Sequence, residues 1–115
     1  MRKIKIETWE AKSPIYEDGK VIGYEDKDEN LLLALNILIG NKKQEEMPRG
    51  LDNFRLMSRL SKAFAKAEET KELILEEIDY KFIKDDLEKN IPSSWGMNVN
   101  IMKAVEEFLN AKLEE

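Results

Sequence analysis

The run "LLLALNILI" at residues 31–39 limits the architecture more than any other stretch of the chain. Wound as a helix, it carries apolar side chains around most of its circumference, so it needs cover from several directions and is expected to be the central buried helix. It falls far short of the roughly 20 apolar residues that cross a bilayer, and Asn36 interrupts it, so no membrane span is expected. Asp26 or Asp28 is the expected N-cap, with Asp26 and Glu29 at capping-box spacing, and Gly40 is the expected stop.

Upstream, "KIKIET" alternates Ile4 and Ile6 with charged residues, the period of a half-buried strand. "PIYEDGKVIGY" reads as a β-hairpin. With Asp18-Gly19 as a two-residue type I′ turn, Glu17 opposes Lys20, Tyr16 opposes Val21 and Ile15 opposes Ile22, which sets opposite charges and apolar pairs across the strands. Pro14 has no N–H for a ladder and marks an edge, a bulge or a break after Trp9. Tyr16 and Tyr24 are expected to cover the core against the helices. Trp9 lies on the opposite phase from Ile4 and Ile6, so a regular strand turns it outward toward a second subunit, whereas an irregularity before Pro14 turns it inward.

Downstream, "NKKQEEMPRGLD" at 41–52 is a polar connection containing Pro48 and Gly50. From about Asp52 to Ala67, Phe54, Met57, Leu60, Phe64 and Ala67 recur every three or four residues, an amphipathic helix. "ELILEE" holds a short strand through Leu73 and Leu75. A third helix follows over about 77–89 with Ile78, Phe82, Ile83 and Leu87 inward, and Asn98 caps a last helix whose apolar face is Ile101, Met102, Val105, Phe108, Leu109 and Leu113. The fold class is α+β: an N-terminal hairpin or small antiparallel sheet over residues 1–27, packed with about four helices over 28–115, in one domain. A chain of 115 residues supports one core of that size.

The chain has no histidine and no cysteine, which removes the usual neutral-pH general base, the usual zinc ligands and thiolate chemistry. "IGNKKQ" lacks the glycine spacing of a phosphate loop, and no Ser-x-x-Lys occurs. The carboxylates at Glu76, Glu77 and Asp79, and at Asp85, Asp86 and Glu88, lack EF-hand spacing and read as solvated helix faces. We expect no enzyme and no cofactor. The segment "MRKIKIETWE" has no apolar core of the kind a secretory signal needs, so a cytoplasmic location is expected.

What remains is charge and aromatic placement. The net charge is −5, yet residues 42–67 carry seven Lys and Arg against three Asp and Glu, while 68–115 carry six against thirteen. Arg55, Arg59, Lys62 and Lys66 fall within about 60° of one another on the second helix, opposite its apolar face. With Lys42, Lys43 and Arg49 upstream, this stripe suits an acidic protein surface or phosphates. Nucleic acid is disfavoured by the acidic net charge, the lack of interleaved aromatics and the lack of a recognition motif. Trp95, in "PSSWGMN", is either a plug between the third and fourth helices or a partner contact. The expected role is protein interaction or self-association, with Arg55, Arg59, Lys62, Lys66, Trp9 and Trp95 as the candidate contact residues; a regulator docking its basic helix is the alternative.

The order of "KIKIETWE", an apolar helix, "FRLMSRLSKAFAKA", "LILEEIDYKFIKDDLEKN" and "IMKAVEEFLNA" resembles small accessory proteins encoded in phage and prophage structural-gene regions. The resemblance implies a non-enzymatic part in virion assembly, in the host cytoplasm, and carries no functional residue with it.

Overall fold

The computed structural model describes residues 1–112; Leu113, expected on the last apolar face, lies outside them. Its elements are β1 (Arg2–Lys5), β2 (Thr8–Glu17), β3 (Lys20–Asn30), α1 (Leu31–Gly40), α2 (Gly50–Thr70), β4 (Glu72–Leu75), α3 (Glu77–Asn90) and α4 (Val99–Leu109), with 3-10 turns at Gln44–Glu46 and Ser93–Met97. The α+β class holds, with the strands divided between two separate two-stranded antiparallel sheets, β1–β4 and β2–β3.

The first sheet belongs to the core. β1 pairs with β4 so that Ile4 faces Leu73 and Arg2 faces Leu75, and Ile6 continues the pairing by donating to the Lys71 carbonyl at 2.9 Å. Ile4, Ile6, Leu73 and Leu75 are buried together with Leu35 of α1, Leu60 and Phe64 of α2, Tyr80 and Ile83 of α3, and Val105 and Phe108 of α4. Tyr80 stacks on Phe108 at 4.9 Å between ring centroids, and its hydroxyl donates to the Phe108 carbonyl at 2.8 Å, so the one polar atom of a buried ring is satisfied at the end of α4. Arg2 lies over the Tyr80 ring and bonds Glu77 through two nitrogens at 2.9 and 3.0 Å. That hydrogen bond holds the Glu77 carboxyl below the usual carboxylate range.

The second sheet is a long ribbon. Asp18 and Gly19 both have positive φ, 51° and 77°, as a type I′ turn requires, and Glu17–Lys20 and Tyr16–Val21 pair as expected. Past them the register shifts between Ile15 and Tyr16, so Ile15 faces Gly23 rather than Ile22. The extra residue is a β-bulge, which alternation alone does not reveal. Pro14 faces Tyr24 within the strand; in a two-stranded ribbon its missing N–H falls on a free edge, so the ribbon runs through it to Thr8 and Asn30. β2 and β3 pack on each other, and β3 meets α1 at the base, consistent with extents of 48 × 30 × 25 Å. Tyr16 and Tyr24, expected to cover the core, are 65% and 68% exposed.

The strand therefore reaches Asn30, and it is Asn30, not Asp26 or Asp28, that caps α1 by accepting from the Leu33 N–H at 3.1 Å. α1 buries Leu31, Leu32, Ala34, Leu35, Leu38 and Ile39 but leaves Leu33 and Ile37 at 47% and 58% exposed, so its cover is incomplete. On α2 the inward residues are Leu56, Leu60, Phe64 and Ala67; Phe54 and Met57 are exposed. Asn98 caps α4 as expected, accepting from the Ile101 N–H at 3.1 Å.

α2 ends in Lys71, whose φ of 61° and ψ of 27° are left-handed. A side chain there costs about 1 kcal/mol relative to glycine. Lys71→Gly is expected to raise the thermal midpoint by a few degrees, read by calorimetry; no rise would mean that the Lys71 side chain contributes as much as the strain costs.

Candidate interaction surface

On α3 the polarity of the packing differs from the periodic reading. Ile78 is 66% exposed, while Asp79 and Asp86 are 3% and 0% exposed. A carboxylate tolerates such burial only with a partner, and each has one from elsewhere in the chain. Arg59 of α2 grips Asp79 with Nε and Nη2 at 2.9–3.1 Å, and this hydrogen bonding raises the Arg59 pKa further. Lys42 places Nζ 3.6 Å from the Asp86 Oδ1, with the two side chains 6% and 0% exposed, and over the Phe82 ring at 4.7 Å. Asn90 adds a hydrogen bond to Asp86 at 2.7 Å. Asp79 and Asp86 are thus clamps between elements, not the solvated face expected of them.

These clamps sort the basic stripe. The Arg59 guanidinium is committed to Asp79 although its side chain keeps 38% exposure, and Lys42 is buried against Asp86, which leaves the other cations of the stripe for a partner. Arg55, Lys62 and Lys66 are exposed and, among the described residues, stand in no ion pair. Beside them on α2 lie the exposed apolar side chains of Leu51, Phe54 and Met57, at 59%, 70% and 39%, and the small residues Ser61 and Ala65. At about 100° per residue, Leu51, Phe54, Ser58, Lys62 and Ala65 share one outward strip with Arg55 and Lys66 on its flank.

The two tryptophans lie elsewhere. Trp95 is 8% exposed within the core cluster, in the 3-10 turn closed by the Trp95 N–H to the Pro92 carbonyl and the Asn98 N–H to the Trp95 carbonyl, both 3.0 Å. It borders a groove with Leu33, Ala34, Ile37 and Ile101, so its neighbours there are α1 and α4 rather than α3 and α4. Trp9 is half-buried at the foot of the ribbon. Its indole N–H donates to Glu29 at 3.3 Å, and it lines a small cleft with Leu31, Lys103 and Ala104. The phase of Ile4 and Ile6, from which Trp9 was expected to stand opposite, does not carry through to it, because β1 ends at Lys5 and a new strand begins at Thr8.

The ribbon presents a second surface. Alternation from the observed register puts Tyr16, Val21, Tyr24 and Pro14 on one face near the turn, continuing into Lys12–Asp26 and Glu10–Asp28 toward the base. Tyr16, Val21 and Tyr24 are 65%, 47% and 68% exposed, with Ile22 beside them at 60%. Each of these aromatic and β-branched residues is unremarkable in a strand; the signal that sequence reasoning missed is the length of the ribbon, which carries them beyond the reach of the helices.

Among the described residues there is no group of three or more His, Cys, Asp or Glu placed to hold a metal ion, and no helix is long and apolar enough to cross a membrane. No protein-family model matches the chain, and neither the curated proteins nor the solved structures provide a match.

Proposed function

We propose that the protein is a non-catalytic interaction or assembly protein whose docking element is the face of the β2–β3 ribbon around Tyr16, Val21, Ile22 and Tyr24. The observation that carries this reading is the exposure of these side chains near the turn of a ribbon that, among the described residues, has no third strand and meets a helix at its base: Tyr24 is 68% and Ile22 60% exposed. A two-stranded ribbon is marginal by itself, and four large apolar side chains in water near its turn add no stability until something covers them. The resemblance to accessory proteins of phage structural-gene regions agrees with this role, and virion assembly in the host cytoplasm is the setting it suggests.

A second reading, a regulator that docks its basic helix on an acidic protein surface, is favoured by Arg55, Lys62 and Lys66, which are exposed and stand in no ion pair among the described residues. A photo-cross-linking residue at Ile22 is expected to form covalent protein adducts in the producing cell, and the same residue at Glu88, on the exposed side of α3, none. Equal labelling at the two positions, or none at either, removes the ribbon as a docking element.

A further inference from the structure

Resting on that reading, the geometry points to a second copy of this chain as the occupant: the ribbon of one protomer lies along α2 of the other, and a two-fold axis makes the contact reciprocal.

Charge is the first support. The ribbon from Thr8 to Asn30 carries seven acids against three lysines, while α2 holds Arg55, Lys62 and Lys66 exposed and, among the described residues, outside any ion pair. Within the single chain both surfaces hold like charges together. Glu10 stands directly opposite Asp28, which destabilises a ladder, and Lys62 and Lys66 are one helical turn apart, which destabilises a helix. Setting one surface on the other relieves both repulsions.

Spacing is the second. From Tyr16–Val21, the ribbon reaches Lys12–Asp26 after about 13 Å and Glu10–Asp28 after about 20 Å. From Phe54, α2 reaches Lys62 after about 12 Å and Lys66 after about 18 Å. With Tyr16, Val21 and Tyr24 on Leu51, Phe54 and Met57, Asp26 therefore meets Lys62, and Glu10 with Asp28 meets Lys66. Ser61 and Ala65, on either side of Lys62, are small enough to let the ribbon approach closely. The order of surfaces also matches, apolar near the turn and at the start of α2, charged toward the ribbon base and the end of α2.

The face of the ribbon, rather than its edges, is the contact, because the edges carry Pro14, the bulge and the lysines that blunt strand addition. A ribbon about 33 Å long and 10 Å wide covers about 300 Å² on each surface. One such contact has the size of a crystal-packing contact, whereas the reciprocal pair buries on the order of 1,300 Å², within the range of stable interfaces. Reciprocity also closes the assembly at two copies instead of leaving an open chain.

The test is sedimentation equilibrium of the purified full chain with two charge-reversed variants, Arg55→Glu/Lys62→Glu/Lys66→Glu and Glu10→Lys/Asp26→Lys/Asp28→Lys, each checked for wild-type circular dichroism. Wild type is expected to dimerise, and each variant alone to raise the dissociation constant about 100-fold through six reversed contacts. An equimolar mixture of the two variants is expected to dimerise again, because the acidic ribbon of the first meets the basic helix of the second while the reversed, basic ribbon of the second meets the reversed, acidic helix of the first. A dimer that survives both variants, or that is broken instead by Ile37→Lys on α1, overturns the proposal, as does a mixture that stays monomeric. A wild-type protein that is monomeric at 100 μM overturns it too; if Ile22 then cross-links to a different protein, the interaction reading stands without self-docking, and if Ile22 forms no adduct both fall.

Discussion

Trp95→Ala is expected to lower the unfolding free energy by about 3–5 kcal/mol, the usual cost of deleting a buried indole, and to lower the thermal midpoint by roughly 10–20 °C in a chain of this size. The side chain is 8% exposed in the common core. The 3-10 turn that holds it is fixed on both sides, by its own N–H to the Pro92 carbonyl and by the Asn98 N–H to its carbonyl. Truncation leaves a void that a turn so constrained does not collapse to fill. It also opens the groove along Leu33, Ala34, Ile37 and Ile101, adding apolar surface to the already exposed strip of α1. Urea denaturation and thermal melting, both monitored by far-ultraviolet circular dichroism, measure the two effects. A shift of only a few degrees would show that the indole is not a core plug.

Lys42→Met is expected to cost about 3–5 kcal/mol, because it strands a buried anion. Asp86 is fully buried; its Oδ1 takes a hydrogen bond from Asn90 and the charge of Lys42, while its Oδ2 has no hydrogen-bond partner. Without the ammonium group, one amide hydrogen bond faces the whole desolvation cost of the carboxylate. The double variant Lys42→Met/Asp86→Asn removes both charges and keeps an acceptor for Asn90, so it is expected to recover most of the loss. Denaturant midpoints of wild type, the two single variants and the double variant give the coupling directly. A Lys42→Met variant as stable as wild type would mean that the pair contributes nothing to holding the 41–49 connection against α3.

Both variants concern residues that the sequence treated differently. Trp95 was legible as one of two things, a plug between the third and fourth helices or a partner contact, because Pro92 and Gly96 force a turn and an indole there has apolar surface to bury; the structure places it in the core, beside α1 and α4. Lys42 and Asp86 were not legible, because each sits among other charged residues, "NKKQEE" and "KDDLEK", and nothing local distinguishes the buried charge from its solvated neighbours. The same limit separated Arg59 from Arg55, Lys62 and Lys66: four cations on one helical face, of which one meets Asp79 across a helix pair.

Sequence by itself determined the local elements, since these follow from short-range rules: the Asp18-Gly19 turn with its flanking pairs, the short strand at Leu73 and Leu75, the Asn98 cap, and helices from apolar recurrence. It also excluded histidine and cysteine chemistry outright. Tertiary structure alone decided where the elements went. β1 could have joined the hairpin by proximity, yet it pairs with β4, some 70 residues on, because that sheet buries Ile4, Ile6, Leu73 and Leu75 on one core. The ribbon was left outside with Tyr16, Val21, Ile22 and Tyr24 uncovered. Alternation states which side chains share a face; only the packing of the whole chain states whether that face meets the core or water.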